Sequence, residues 1–184
     1  LVTAGSVILM GIITGEIFYP PGYSTALNDI SDLGATRPPN SVIHQPSATI
    51  FNWAMRISGL LISLVAIFLL RAKRWLFNIP FLVFGISVLG VGLFPGDRAP
   101  WHGLFALTTF FFGAVSALTT FRITTSTYRL AGMVFGAVSL AFLFLSTSIA
   151  EWMGSGGTER WVAYPILLWL VGLGGEMSAG RENH

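Results

Sequence analysis

The chain has 184 residues, of which 53% are apolar and only 10% are charged, with a formal net charge of +2. Soluble domains carry roughly a quarter charged residues, so this composition reads as an integral membrane protein and excludes a soluble domain with a large core. The small positive excess speaks of membrane topology, not nucleic-acid binding, and the absence of cysteine excludes disulfides, thiolate catalysis, Cys-ligated zinc and iron–sulfur clusters.

Apolar runs of about 20 residues cross a bilayer as helices. The first run covers residues 2–18. It has no basic leading segment and no small-residue cleavage site, so it reads as a transmembrane helix, not a signal peptide. It ends in ITGEIFYPP, which puts Glu16 near its outer end. A carboxylate at membrane depth faces protein or a wet cavity. Its natural partner is Arg56, about two turns into the second run. Either the two form a structural ion pair, or Glu16 is a proton or cation site.

The loop that follows contains NDISDLGATRPPN, residues 28–40. Asp29 and Asp32 are spaced i, i+3, so one helical turn brings both to one face. Asn28 or Asp29 can cap such a turn and Gly34 can end it, while Pro38 and Pro39 stiffen the exit. The alternative is a paired carboxylate that binds a metal or polarises a water. Ser31 is a nucleophile only beside a base. His44 closes the loop.

The second run covers 48–70 and is followed by RAKRW; the third covers 77–94 and carries Gly85, Gly90 and Gly92. After FPGDRAPW, His102 opens the fourth run, 102–121. The fifth, 130–149, is uncharged and carries Gly132 and Gly136, a spacing that lets helix backbones approach in lipid. The segment EWMGSGGTERW reads as a flexible outer turn. The sixth run covers 161–174, with Glu159 and Arg160 at its mouth. Arg160 is read as snorkelling to lipid headgroups or pairing with an outer carboxylate. None of these runs alternates with period two, so a β-barrel is excluded in favour of an all-α bundle of six transmembrane helices forming one domain over 1–184. The six tryptophans, Trp53, Trp75, Trp101, Trp152, Trp161 and Trp169, fall mostly near run ends, as an aromatic belt does.

Basic residues set the orientation. Arg71, Lys73, Arg74, Arg122, Arg129 and Arg181 share one side, against Arg37, Arg98 and Arg160 on the other. Both termini are therefore expected in the cytoplasm, in a plasma or cytoplasmic membrane. Glu16, Asp29, Asp32, Asp97, Glu151, Glu159, His44 and His102 then gather at the outer face. From that layer Glu16, Ser31, Asp32, Arg56, Asp97, His102, Glu151, Glu159 and Arg160 are candidate ligand-binding residues. Asp32, His44 and His102 are catalytic candidates and also candidate ligands of zinc or another divalent ion, although no HExxH or HxH spacing is present. The sequence names no cofactor.

Several of these stretches together resemble a six-span family known as domain of unknown function number 998: ISDLGA followed by SATIFNWAMRISGLL, then GVGLFPGDRAPWHGLFAL, then GTERWVAYPILLWL. The matching residues are Ser31, Asp32, Gly34, Asn52, Pro95, His102, Glu159 and Arg160. The resemblance implies six helices and an extracytoplasmic first loop, and no established reaction. A more distant likeness is to the Frag/DRAM/Sfk membrane proteins, some of which are linked to glycolipid-anchor remodelling and autophagy. The chain more loosely resembles seven-span zinc hydrolases with three histidines. His44 and His102 are placed for that role, whereas His184 lies in the tail on the other side.

Three functions stay open. The chain binds a lipid or amphiphile in an outward-facing pocket capped by the first loop, it is an accessory subunit among other membrane subunits, or it is a lipid-directed hydrolase. A transporter is disfavoured because no inverted repeat is visible. Haem is disfavoured because no two histidines face each other within the runs.

Overall fold

The computed structural model describes residues 1–179, and over these the chain is helical with no strand. Arg181, Glu182 and His184 lie outside the described residues. The helices are α1 (Val2–Ile17), α2 (Ser47–Leu69), α3 (Trp75–Leu93), α4 (Trp101–Leu118), α5 (Tyr128–Phe144) and α6 (Ser146–Ala179). Short 3-10 turns extend α2 and α4, and a third, Ile30–Leu33, stands in the first loop. Four stretches, Ser47–Ala72, Trp75–Leu93, Trp101–Arg122 and Ser146–Ala179, are long and apolar enough to cross a membrane. α1 and α5 are shorter apolar helices.

Each helix packs on the next in chain order, and α6 returns to α1, closing a ring. The core of the ring is built from Ile8, Ile62, Phe77, Phe81, Phe84, Val88, Ile166 and Leu170. Small residues set the spacing. A Cβ on Gly85 would lie 2.7 Å from the Ser63 nitrogen, and one on Gly136 would lie 2.6 Å from the Ala114 carbonyl oxygen. α3 therefore sits close on α2, and α5 on α4.

Two expectations from the sequence need correction. Trp169 is not part of an interfacial belt: it is fully buried, and its indole N–H donates to Thr120 Oγ1 at 2.8 Å. The other five tryptophans are exposed. The segment EWMGSGGTERW is not a flexible turn either. It is helical, broken only at Gly154, where φ is +78°. Its glycines are needed for close approach, because the first loop lies directly on them. A Cβ on Gly154 would come within 2.1 Å of the Ala26 carbonyl oxygen, and one on Gly156 within 2.0 Å of the Asn28 oxygen.

The same loop is received on its other side by Gly96, whose added Cβ would be 2.0 Å from the Ala35 oxygen. Between these contacts Ile30, Leu33 and Ala35 are buried as a plug in the end of the bundle. Gly34 ends the turn, its N–H donating to the Ser31 oxygen, but in the right-handed region; glycine is required there to pass Asn52, whose Oδ1 would lie 2.5 Å from a Cβ.

Gly156→Ala should therefore lift the loop from α6, raising amide hydrogen exchange over residues 24–36 at least about tenfold, the equivalent of about 1.4 kcal/mol of local opening. Gly157→Ala, whose Cβ meets nothing closer than the Met153 side chain at 3.4 Å, should leave exchange unchanged.

Candidate functional site

The break at Gly154 starts a new helical segment, and the first N–H groups of such a segment have no partner within it. The first loop supplies partners. Gly157 N–H donates to the Ala26 oxygen at 3.0 Å and Ser155 Oγ to the Leu27 oxygen at 2.9 Å. One turn further on, Arg160 Nη1 donates to the carbonyls of Thr25 (2.8 Å), Asn28 (3.0 Å) and Gly156 (2.9 Å). Its Nη2 donates to Glu16 Oε1 at 2.7 Å and to Tyr23 Oη at 2.6 Å. Arg160 is thus buried and does not snorkel. It, not Arg56, is the partner of Glu16. Arg56 instead donates from Nε to the Gly92 oxygen at 2.7 Å and stacks over Trp53.

Beside Arg160, Glu159 turns toward the bundle interior, and its Oε2 accepts the N–H of Ile30. This bond fixes the start of the 3-10 turn. Asp29 caps that turn, and Asp32 reaches back to accept the Asp29 N–H at 3.1 Å. Arg37 pairs with Asp29 at 2.9 Å but is largely exposed, so the pair adds little stability. Burial, and next the Asp29 charge, hold the Asp32 carboxyl above the usual carboxylate range, against opposing hydrogen bonds from Asn28 and the Asp29 N–H. Burial likewise pushes the Tyr23 phenol up, with Arg160 opposing.

Glu159 stands between two spaces. Inward lies an apolar cavity of about 60 Å³, lined by Ile12, Phe51, Val88, Phe110 and Ile166 with Ser31, Thr109 and Glu159. Thr109 Oγ1 is buried there with no partner. Outward lies a vestibule of about 350 Å³ among Asp29, Arg37, Ser146, Thr147, Thr158 and Glu159, with Phe110 and Leu143 as its apolar wall. Phe110 and Glu159 border both.

The nine candidate binding residues do not converge on one point. Ser31 and Glu159 reach the inner cavity, while Glu16 and Arg160 form the clamp. Arg56 and Asp97 line a separate pocket of about 300 Å³ with Asn52, Gln45 and Arg98. Glu151 is exposed. His102 is buried, and its Nδ1–H donates to the Phe94 oxygen at 2.8 Å across the α3–α4 turn; its Nε2 has no partner. His44 packs edge-on against Tyr19. Among the described residues no three His, Asp or Glu side chains are gathered to hold a metal. Tyr23, Thr109 and Phe110 join the site without a signal in the sequence: each is an ordinary loop or helix residue until the fold closes.

Two outcomes test this geometry. Removing one partner of a buried ion pair costs about 3–5 kcal/mol, and Glu16, which is partly exposed, belongs at the lower end. Glu16→Ala should therefore lower the thermal midpoint in detergent by several degrees, and more than Arg56→Ala, which loses one hydrogen bond and its stacking on Trp53. Asp32 has a raised folded-state pKa, so its contribution to stability is full below about pH 4 and is lost as pH rises through the elevated value. Asp32→Asn should remove that part of the pH dependence, so that the difference between the melting midpoints of the two proteins changes from pH 4 to 7 as the wild type alone loses this stability.

No curated protein and no solved structure matches the chain. The family described as "Protein of unknown function (DUF998)" matches residues 3–176, and the chain belongs to that family.

Proposed function

We propose that the protein is a six-span integral membrane protein that binds a lipid or small amphiphile at its loop-capped end. The polar head occupies the vestibule, and a short apolar part passes Phe110 into the inner cavity. One observation carries this reading: Glu159 and Phe110 border both spaces, so a carboxylate and an aromatic ring sit side by side where polar lining gives way to apolar lining. That is the arrangement an amphiphile needs, with a few polar groups fixing the head and an apolar wall taking the tail.

The vestibule's volume lies within the range of about 300–1,000 Å³ typical of ligand pockets. The inner cavity, with room for about two water-sized groups at ~30 Å³ each, takes only the first carbons or a hydroxyl facing Thr109. Asp29 is already neutralised by Arg37, and Glu159 offers the vestibule a carboxyl. A head bearing hydrogen-bonding amine or hydroxyl groups is the complement. In this reading α1 and α5 are also spans, both termini are cytoplasmic and the first loop faces outward.

Dioctanoyl phosphatidylethanolamine titrated onto the purified protein in amphipol, followed by native mass spectrometry, should give one saturable bound molecule. Ala150→Trp, which fills the vestibule, and Glu159→Gln should each weaken it about tenfold or more, about 1.4 kcal/mol. Leu60→Trp, on an exposed face of α2, should not. Non-saturable occupancy, or equal affinity in Ala150→Trp, overturns the reading. A stable assembly with other subunits that blocks the vestibule does so too.

A further inference from the structure

Among the described residues every arginine is exposed at the surface except Arg56 and Arg160. Arg160 has Glu16 as its counter-charge, whereas the ion pairs of the described residues leave Arg56 out. A cation held within a helix bundle without a counter-charge is costly. The Arg56 Nε donates to the Gly92 oxygen, one of the carbonyls that the last turn of α3 leaves unpaired, and the guanidinium lies over Trp53, 5.2 Å from the ring centroid. These contacts fix the guanidinium plane but use only one of its five N–H groups. The four on Nη1 and Nη2 have no protein acceptor and, unlike the Nε of Arg160, are not sealed from solvent.

Arg56 lines the separate pocket of about 300 Å³. Ala48, Thr49, Asn52, Trp53 and Arg56 recur at i, i+1, i+4, i+5 and i+8, so one face of α2 forms its wall. The α3–α4 turn closes the other side with Pro95, Asp97 and Arg98. Because Arg56 is level with Gly92, one residue short of the end of α3, the pocket sits over the end of that helix. Its groups are mainly donors. The Gln45 Oε1 accepts from the Thr49 N–H at 3.3 Å and from the Thr49 hydroxyl at 2.7 Å, which leaves the amide NH2 without a partner. Arg98 brings a second guanidinium, largely exposed and touching Asp97 at 3.4 Å. Two cations therefore share one carboxylate.

We propose that this pocket is a phosphate site, with the Arg56 Nη groups, Gln45 and Arg98 donating to one phosphate group. A guanidinium fork takes two oxygens of a phosphate. The remaining oxygens face other directions, toward the loop and the α3–α4 turn, where a planar carboxylate has none to offer. A free phosphate and the phosphate of a lipid present the same oxygens. Ile43 and Leu93, exposed apolar residues of the pocket, offer contact to a lipid only. The site shares no residue with the vestibule or the inner cavity, and it stands independently of the amphiphile proposed there.

The test is a titration of the purified protein, in nonionic detergent at constant ionic strength, with inorganic phosphate and separately with dioctanoyl phosphatidic acid. Affinity is read from the ligand dependence of the thermal midpoint. Wild-type protein should respond saturably. Saturation by both ligands makes the phosphate group the recognised element, saturation by the lipid alone identifies a headgroup site, and saturation by inorganic phosphate alone identifies a soluble anion. Arg98→Glu and Thr49→Trp, both at exposed positions, should each weaken binding about tenfold or more, as should Arg56→Lys, which keeps the charge and loses the fork. Asp97→Asn should tighten binding, which a purely structural role for the pocket would not produce. Ala150→Trp in the vestibule and Arg71→Ala beyond the other end of α2 should leave it unchanged. Three results overturn the proposal: no saturable response to either ligand, wild-type affinity in both Arg98→Glu and Thr49→Trp, and a loss in Arg71→Ala equal to that in Arg98→Glu.

Discussion

The buried guanidinium of Arg160 is the constraint around which the loop-bearing end of the molecule is arranged. Taking a cation out of water costs several kcal/mol, and the cost is offset only when a counter-charge and further acceptors are fixed in place. Glu16 provides the charge, and Tyr23, Thr25, Asn28 and Gly156 provide the acceptors. These groups come from α1, from the first loop and from α6. One side chain therefore requires three parts of the chain to be in register. Once they are, Glu159 pins the start of the 3-10 turn, which Asp29 and Asp32 cap.

The break in α6 serves the same end. An unbroken helix would use its own carbonyls to satisfy the N–H groups of residues 155–158. The positive φ at Gly154 interrupts that ladder and leaves donors free at the point where the loop arrives with unpaired carbonyls. Backbone groups buried without partners are costly on both sides, so helix break and loop solve each other's deficit. The glycines at 154 and 156 let the two backbones close to hydrogen-bonding distance, and Gly96 allows the same closeness at the loop's far end. A loop held this way behaves as part of the bundle, with Ile30 and Leu33 completing its core.

What the sequence revealed was position along each helix. Hydropathy marked the apolar runs, and the acidic residues and histidines could be placed at or beyond run ends. It did not reveal angle around the bundle. Arg56 and Arg160 both lie near the polar end of a helix, and hydropathy gives no reason to pair Glu16 with one over the other. The choice is made by the ring closing α6 onto α1, a contact between the two ends of the chain. The glycine-rich segment before Arg160 misled for a related reason. Glycine's weak helix propensity argues for a turn, but tertiary contact overrides it where the loop needs a surface without side chains. Trp169 is the third case: its position near the end of the last apolar run resembled a belt, while Thr120, 49 residues away, supplied the buried acceptor.

Glu159 and Arg160 are adjacent, and consecutive residues on an α-helix point about 100° apart. That single step turns the Glu159 carboxyl to the vestibule and inner cavity and the Arg160 guanidinium to Glu16 and Tyr23. The two side chains also hold neighbouring parts of the same loop: Ile30 through its N–H on Glu159, and Thr25 and Asn28 through their carbonyls on Arg160. Only four residues separate Thr25 from Ile30, and between them the backbone is fastened at Ala26 and Leu27 as well. A segment so short and so closely tied cannot be displaced at one end while the other stays in place. The loop from Thr25 to Ile30 is therefore fastened as one element that reaches from the Arg160 clamp to the edge of the vestibule.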